Sequence, residues 1–142
     1  MPRYKNSAEP AVLKVCPKCG GSGVVSCNER EPHREKARLW ANSCHLRPVV
    51  FQVPDGHPPV VGIATSGVFL GGWPALRIYV GVAEDGFRLP LRGPYATWLE
   101  LDKVNGKALW YFDVQYSNRE RIMLLDCWPV ECAIETIAGL LV

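Results

Sequence analysis

The chain has 142 residues, 48% of them hydrophobic and 21% charged, which suits one hydrophobic core with an appendage. It has no run of about 18 apolar residues without charge and no apolar stretch at its start typical of a signal peptide, so we expect a cytoplasmic protein that does not enter a membrane. The net charge of +2 hides an asymmetry, because residues 1–48 contain nine Lys/Arg against four Asp/Glu, whereas the remainder contains seven against ten.

The N-terminal third is predicted to consist of two parts. Residues 1–10 are polar and offer little apolar surface to bury, so they are expected to form a flexible leader. Residues 11–48 contain a cysteine pair, a glycine-rich turn, a short extended run and then a helix. Pro32 suits the first turn of that helix, and Pro48 lies just beyond its end.

The cysteine pair at the start of this second part has the spacing of a zinc knuckle. Cys16 and Cys19 are separated by two residues and followed by Gly20, an arrangement that lets both sulfurs converge on one cation. In a chain without an export signal, this spacing favours metal over a disulfide. The segment CPKCGGSG resembles one copy of the CxxCxGxG zinc element of DnaJ-type co-chaperones and zinc-ribbon proteins. The resemblance implies Zn²⁺ binding by these two cysteines; the co-chaperones have four copies and this chain has one, so no chaperone activity is implied.

A structural zinc ion takes four ligands, so two more must come from elsewhere. The candidates are Cys27, His33, Cys44 and His45. On one straight helix, His33 and Cys44 would be separated by about 16 Å, too far to share an ion. The preferred ligand set is Cys16, Cys19, Cys27 and His33, with Cys44 in place of His33 as the first alternative and His45 as the next. A buried thiol at Cys44 that binds no metal fits the pattern equally well.

The segment from Val49 to Asp126 is rich in Val, Ile, Tyr, Phe and Trp and is interrupted by turn signals, which predicts an antiparallel meander. Its clearest element is a hairpin at Asn105-Gly106, between residues 97–104 and 107–116, because Asn-Gly supplies the positive φ angles of a type I′ turn. The other turn signals are Asp55-Gly56, Gly71-Gly72, Asp85-Gly86 and Gly93-Pro94.

The end of the chain has helical periodicity. Pro129 suits a first helical turn, and an apolar stripe follows at Val130, Ile134, Ile137, Ala138 and Leu141. Cys127 and Cys132, near the start of this helix, are expected to be buried thiols. The predicted fold is therefore α+β: an antiparallel β meander with a C-terminal helix in residues 49–142, preceded by a small zinc-knuckle plus helix module in residues 11–48.

The sequence predicts a binding protein rather than an enzyme. It contains no phosphate-binding Walker loop, no dinucleotide fingerprint and no Gly-x-Ser-x-Gly nucleophile motif. Arg34 and Arg38 on the helix, and Trp73 in a predicted turn, are the candidate partner-binding residues. Exposed sheet edges would also allow a homodimer. Such a small chain without a catalytic motif would suit a phage or mobile-element protein that inhibits a host factor.

Two other functions are compatible with the sequence. A nucleic-acid-binding regulator could use the basic zinc module, although glutamates interleave with its cations. The basic residues of that module include Arg34, Lys36, Arg38 and Arg47. A small enzyme is the third hypothesis, and Asp55 with His57 in a loop would be its starting point.

Overall fold

The computed structural model describes residues 26–84, 88–126 and 134–142, with side chains from residue 32 onward. The chain divides into two compact units, Met1–Leu39 and Trp40–Val142. The elements are α1 (Ser26–Cys44), β1 (Arg47–Phe51), β2 (Val60–Leu70), β3 (Trp73–Val82), a first 3₁₀ helix (Gly93–Trp98), β4 (Glu100–Val104), β5 (Lys107–Gln115), a second 3₁₀ helix (Tyr116–Arg121), β6 (Ile122–Leu124) and α2 (Ile134–Leu141).

Helix α1 begins earlier than the sequence predicts. It starts at Ser26, so Pro32 lies inside it rather than in its first turn. Proline has no N–H to donate to the preceding turn, and a proline in a helix therefore looks like a helix start from sequence alone. As a consequence, Cys27 belongs to the helix and not to the segment before it. The predicted zinc knuckle and the extended run before Ser26 lie outside the described residues.

The predicted antiparallel sheet and C-terminal helix are confirmed, but the strands do not form a simple meander. The sheet has six antiparallel strands in the order β4-β5-β3-β2-β1-β6. Strands β1, β2 and β3 are sequential neighbours, as are β4 and β5. The other two pairings join strands that are not consecutive in the chain: β5 pairs with β3, and β6 pairs with the outer edge of β1. The sheet begins at Arg47, two residues before the predicted start of the sheet domain.

The predicted hairpin turns are present where they lie within the described residues. Asn105 and Gly106 have φ angles of 50° and 82°, and Val104 pairs directly with Lys107 across them. Gly71 and Gly72 have φ angles of 61° and 84° and join β2 to β3. Both central residues of each turn therefore have the positive φ that a type I′ turn requires.

The sheet of the second unit is strongly curled. The rings of Phe51 on β1 and Phe112 on β5 are 5.2 Å apart between centroids, although β2 and β3 lie between their strands. In a flat sheet, three strand spacings would separate these residues by about 14 Å. A β-bulge between Thr65 and Val68, where Gly67 has a φ of 99°, increases the local twist of β2. The two aromatic rings thus meet on a concave face.

Apolar side chains fill both faces of the sheet. The concave face buries one cluster that also includes Ala41 and Cys44 from the end of α1 and Leu91 and Leu99 from the segment before β4. Its members from the strands are Val49, Phe51, Val60, Ala64, Leu76, Ile78, Phe112 and Val114.

The convex face is covered by α2. Ile134 and Ile137 of the predicted stripe are fully buried there, against a cluster that includes Ile63 and Leu109. The side-chain amide of Asn105 donates a hydrogen bond to the Leu140 carbonyl, which ties the β4–β5 turn to the end of α2. In the part of the chain that the structure describes, no helix is long and apolar enough to cross a membrane.

Candidate functional site

The outer edge of β5 is only partly paired. Strand β4 begins at Glu100, opposite Tyr111, whereas β5 continues to Gln115. Because backbone groups alternate between the two sides of an antiparallel strand, Tyr111 and Asp113 direct their N–H and C=O groups away from β3. Tyr111 meets β4 on that side. Within the described residues, no backbone hydrogen bond from another strand meets Asp113 there.

A cavity of about 420 Å³ lies at this open edge. It is lined by residues of the concave core and by Trp98, which is 38% exposed. Its apolar lining residues are Phe51, Leu70, Trp98, Phe112 and Val114, and its other lining residues are Glu100, Tyr111, Asp113, Asn118 and Arg121. We call this cavity, together with the outer backbone edge of Asp113, the β5 cleft.

A row of aromatic rings holds Trp98 in place. Its ring centroid is 5.2 Å from that of Tyr95 and 6.4 Å from that of Phe51, both in edge-to-face geometry. The Tyr95 hydroxyl donates a 2.7 Å hydrogen bond to the Asp55 carboxylate in the β1–β2 loop. The first 3₁₀ helix is therefore fixed both to the core and to the neighbouring loop. Trp98 belongs to this 3₁₀ helix and not to the hairpin strand in which the sequence pattern placed it.

His57 connects two loops through both of its ring nitrogens. Its Nδ1 lies 2.7 Å from the Pro58 carbonyl oxygen, which can only accept, so Nδ1 carries the proton. Its Nε2 accepts a 3.2 Å hydrogen bond from the backbone N–H of Arg92. In this arrangement neither nitrogen is free to take a proton from a bound molecule. The contacts of His57 and Asp55 are those of residues that position loops.

A polar network lies on the convex face beside the β5 cleft. The Arg77 guanidinium donates from Nε and Nη2 to the two carboxylate oxygens of Asp113, at 2.9 and 3.2 Å. Its Nη1 is 3.5 Å from Asp102, and its central carbon lies 4.0 Å from the centroid of the Tyr111 ring. This bidentate geometry is the strongest that arginine and a carboxylate can form. We call Arg77, Tyr79, Glu100, Asp102, Tyr111 and Asp113 the Arg77 network.

The Arg77 network contains three carboxylates and one guanidinium. Two tyrosine hydroxyls stabilise the additional negative charge: Tyr79 donates to Asp102 at 2.6 Å and Tyr111 donates to Glu100 at 3.1 Å. Hydrogen bonding to Asp113 raises the pKa of Arg77 above its usual value, so the guanidinium stays charged. Burial, together with the hydrogen bond to Asp102, raises the pKa of Tyr79 from 10.0 to about 12.

The pKa of Tyr79 leads to a prediction. Titration monitored by tyrosinate absorbance should show one tyrosine that ionises near pH 12, and Tyr79→Phe should remove that step. An unfolded chain ionises its tyrosines near pH 10, so the folded state binds more protons between these values and its stability should fall as the pH rises through that interval. Tyr95→Phe, which removes a partly buried tyrosine of the first 3₁₀ helix outside the Arg77 network, is the control and should leave the late step unchanged.

The sequence-predicted metal ligands are placed only in part. Cys16 and Cys19 lie outside the described residues, and for Cys27 the structure describes the helical backbone but not the side chain. His33 is exposed on α1. Among the side chains that the structure describes, no three His, Cys, Asp or Glu residues are grouped so that they could hold a metal ion. The zinc site therefore stays a prediction.

The two alternative zinc ligands, Cys44 and His45, each make other contacts. Cys44 is 3% exposed in the concave core, where burial raises the pKa of its thiol. Because zinc binds the thiolate, this environment favours the interpretation of Cys44 as a packed thiol. The Nδ1 of His45 accepts a 2.9 Å hydrogen bond from the backbone N–H of Ser66, which connects the end of α1 to β2.

The residues predicted to contact a partner do not form part of the β5 cleft. Arg34 and Arg38 are exposed on α1, and the Nε of Arg38 donates to Glu35 at 3.1 Å. Trp73 begins β3 opposite Leu70 and is partly buried, so it lies in a strand and not in the preceding turn. Arg47, a candidate phosphate contact, is exposed at the first position of β1.

The β5 cleft and the Arg77 network were not found from sequence. The alternation of residues 107–115 indicates which side chains share a face, but it does not show where pairing with β4 stops. The carboxylates of Asp102 and Asp113 are eleven residues apart in sequence, and Arg77 lies 25 residues before Asp102, so no local motif links them. Comparison with protein-family models, curated proteins and solved structures finds no match to this chain, and the functional assignment therefore rests on the site geometry.

Proposed function

We propose that this chain is a non-enzymatic, cytoplasmic interaction protein that binds an extended segment of a protein partner in the β5 cleft. The segment adds as a short strand beside β5, next to the position where β4 begins. The observation that carries the proposal is the outward-directed backbone of Asp113, which has no strand partner among the described residues.

Backbone groups at a strand edge favour the addition of another strand. The N–H and C=O of Asp113 can each form a hydrogen bond with an extended chain, whatever its side chains are. Strand β4 has charged side chains at three of its five positions, and these discourage pairing along its own outer edge. Among the described residues, no strand covers the outer side of β5 at Asp113, which makes this position the more favourable place for strand addition.

The cavity supplies side-chain selectivity to this edge. Its volume of about 420 Å³ accommodates a bulky apolar side chain, and the rings of Phe51, Phe112 and Trp98 offer it apolar contact. Each large aliphatic or aromatic side chain that becomes fully buried contributes about 1.5–3 kcal/mol before the costs of association. Backbone pairing and one anchoring side chain together are typical of strand-addition recognition.

Hydrogen exchange at single amides tests the proposal. In the free protein, the amide of Asp113 should exchange at least about 100-fold faster than the amide of Tyr111, which pairs with β4. A linear peptide selected against the protein from a display library should slow the exchange at Asp113 and leave Tyr111 unchanged.

Two outcomes would contradict the proposal. If Asp113 exchanges as slowly as Tyr111 in the free protein, the edge is already covered. If selected peptides bind but leave the exchange at Asp113 unaltered, they bind somewhere else.

We also propose that the N-terminal unit contains one structural Zn²⁺, held in part by Cys16 and Cys19. Support comes from the spacing of these two cysteines and the glycines that follow them. Elemental analysis of the purified protein should find one zinc per chain, and Cys16→Ser should lose it. Cys127→Ser, a cysteine predicted to be buried without metal, should retain the zinc. Metal-free wild-type protein would disprove this part of the proposal.

A further inference from the structure

We infer that the segment bound in the β5 cleft alternates a basic side chain, lysine or arginine, with an apolar one. The basic side chain lies over the Arg77 network and the apolar side chain enters the cavity. This inference rests on the proposed function and specifies the chemistry of the partner.

The register of an added strand determines which faces its side chains occupy. The residue opposite Asp113 would have its side chain on the same face as that of Asp113, with the two Cβ atoms about 4.5–5.5 Å apart. On that convex face, Asp113 lies next to Arg77 and close to Asp102. The next residue of the partner would point to the concave face, where Phe112 lines the cavity.

The charge of the Arg77 network favours a second cation. Its three carboxylates face one guanidinium, and the tyrosine hydroxyls that bind Asp102 and Glu100 are neutral. Asp102 is 31% and Asp113 is 21% exposed, so both carboxylates are partly accessible from solvent. A lysine or arginine opposite Asp113 would reduce the excess negative charge, whereas a glutamate would add a fourth carboxylate.

The cavity itself disfavours a cation. Arg121, at the end of the second 3₁₀ helix, lines its concave part together with the apolar side chains of Phe51 and Val114. The acidic lining residues, Glu100 and Asp113, belong to the Arg77 network on the convex face. A basic side chain placed inside would lose water and meet a like charge. The two faces of the added strand therefore select different residue types, and the selection alternates with the period of a strand.

Fluorescence polarisation with three labelled peptides of about ten residues tests this inference on the full-length chain. The first alternates Val and Lys, the second alternates Val and Glu, and the third has the composition of the first with its valines and lysines in two blocks. The Val-Lys peptide should bind about tenfold more tightly than the Val-Glu peptide, and the difference should shrink as salt is added.

Two variants of the protein test which carboxylates cause this preference for the Val-Lys peptide. Asp102→Asn should reduce the preference about threefold. Asp126→Asn, which removes an exposed charge after β6, should leave it unchanged.

The other outcomes separate this inference from the proposed function. Equal binding of the Val-Lys and Val-Glu peptides, with protection of the Asp113 amide, would overturn the basic specificity and leave strand addition in place. Equal binding of the alternating and block peptides would overturn the inference, because charge alone would then account for the affinity. Absence of binding by all three peptides would overturn this inference, and it would overturn the proposed function as well if no display-selected peptide protects the Asp113 amide.

Discussion

Replacing Leu76 by alanine is expected to lower the free energy of unfolding by about 3–4 kcal/mol. Leu76 is fully buried on the central strand β3, where it belongs to the concave core cluster. The alanine variant would lose the transfer free energy of the removed methyl and methylene groups. It would also leave a cavity, because the sheet on either side of β3 is hydrogen-bonded along both edges and cannot easily close the space.

Leu101→Ala provides the matched control for this prediction. Leu101 is also a leucine in a strand, but it is 54% exposed on β4. Its replacement should cost less than about 1 kcal/mol. Both values can be measured by urea unfolding monitored by circular dichroism. Equal losses for the two variants would mean that Leu76 is not in a packed core, and the arrangement of the concave face would then be wrong.

Replacing Arg77 by leucine is expected to lower the free energy of unfolding by about 2–4 kcal/mol at neutral pH. Asp113 would lose both hydrogen bonds from the guanidinium, and Asp102 would lose its nearby cation. The two carboxylates would then repel each other in a partly buried site.

Arg38→Leu is the control for the loss of an arginine. Arg38 also pairs with a carboxylate, that of Glu35, but both side chains are more than half exposed. Water and salt screen such a pair, so its removal should leave the stability almost unchanged. If Arg77→Leu is equally harmless at neutral pH, the Arg77 network does not stabilise the sheet, and its use as a preformed binding surface would lose support.

The local sequence was sufficient to predict those elements whose conformation depends on residues close together in the chain. The Asn105-Gly106 and Gly71-Gly72 turns could be predicted because the positive φ angles that they need are available to few residue types. The C-terminal helix could be predicted because Ile134 and Ile137 recur at helical spacing and one face must be buried.

The same local information was misleading in two places. Pro32 looked like a helix start, yet it lies within α1, because the identity of one residue does not reveal whether a helix already precedes it. Trp98 looked like a strand residue because aromatic residues are common in strands, yet it lies in a 3₁₀ helix that packs through Tyr95 and Phe51. In the second case the tertiary packing overrides a weak local preference.

The candidate site depends on contacts between residues that are distant in the chain. The sequence by itself determined an antiparallel α+β fold, its tight turns and its final helix, because each depends on periodicity or on the φ angle of one or two residues. The tertiary structure alone decided that β5 pairs with β3, that β4 stops opposite Tyr111 and that Arg77 meets Asp102 and Asp113. Strand pairing and sheet curvature minimise exposed apolar surface over the whole unit, and the β5 cleft exists where this packing leaves one strand longer than its neighbour.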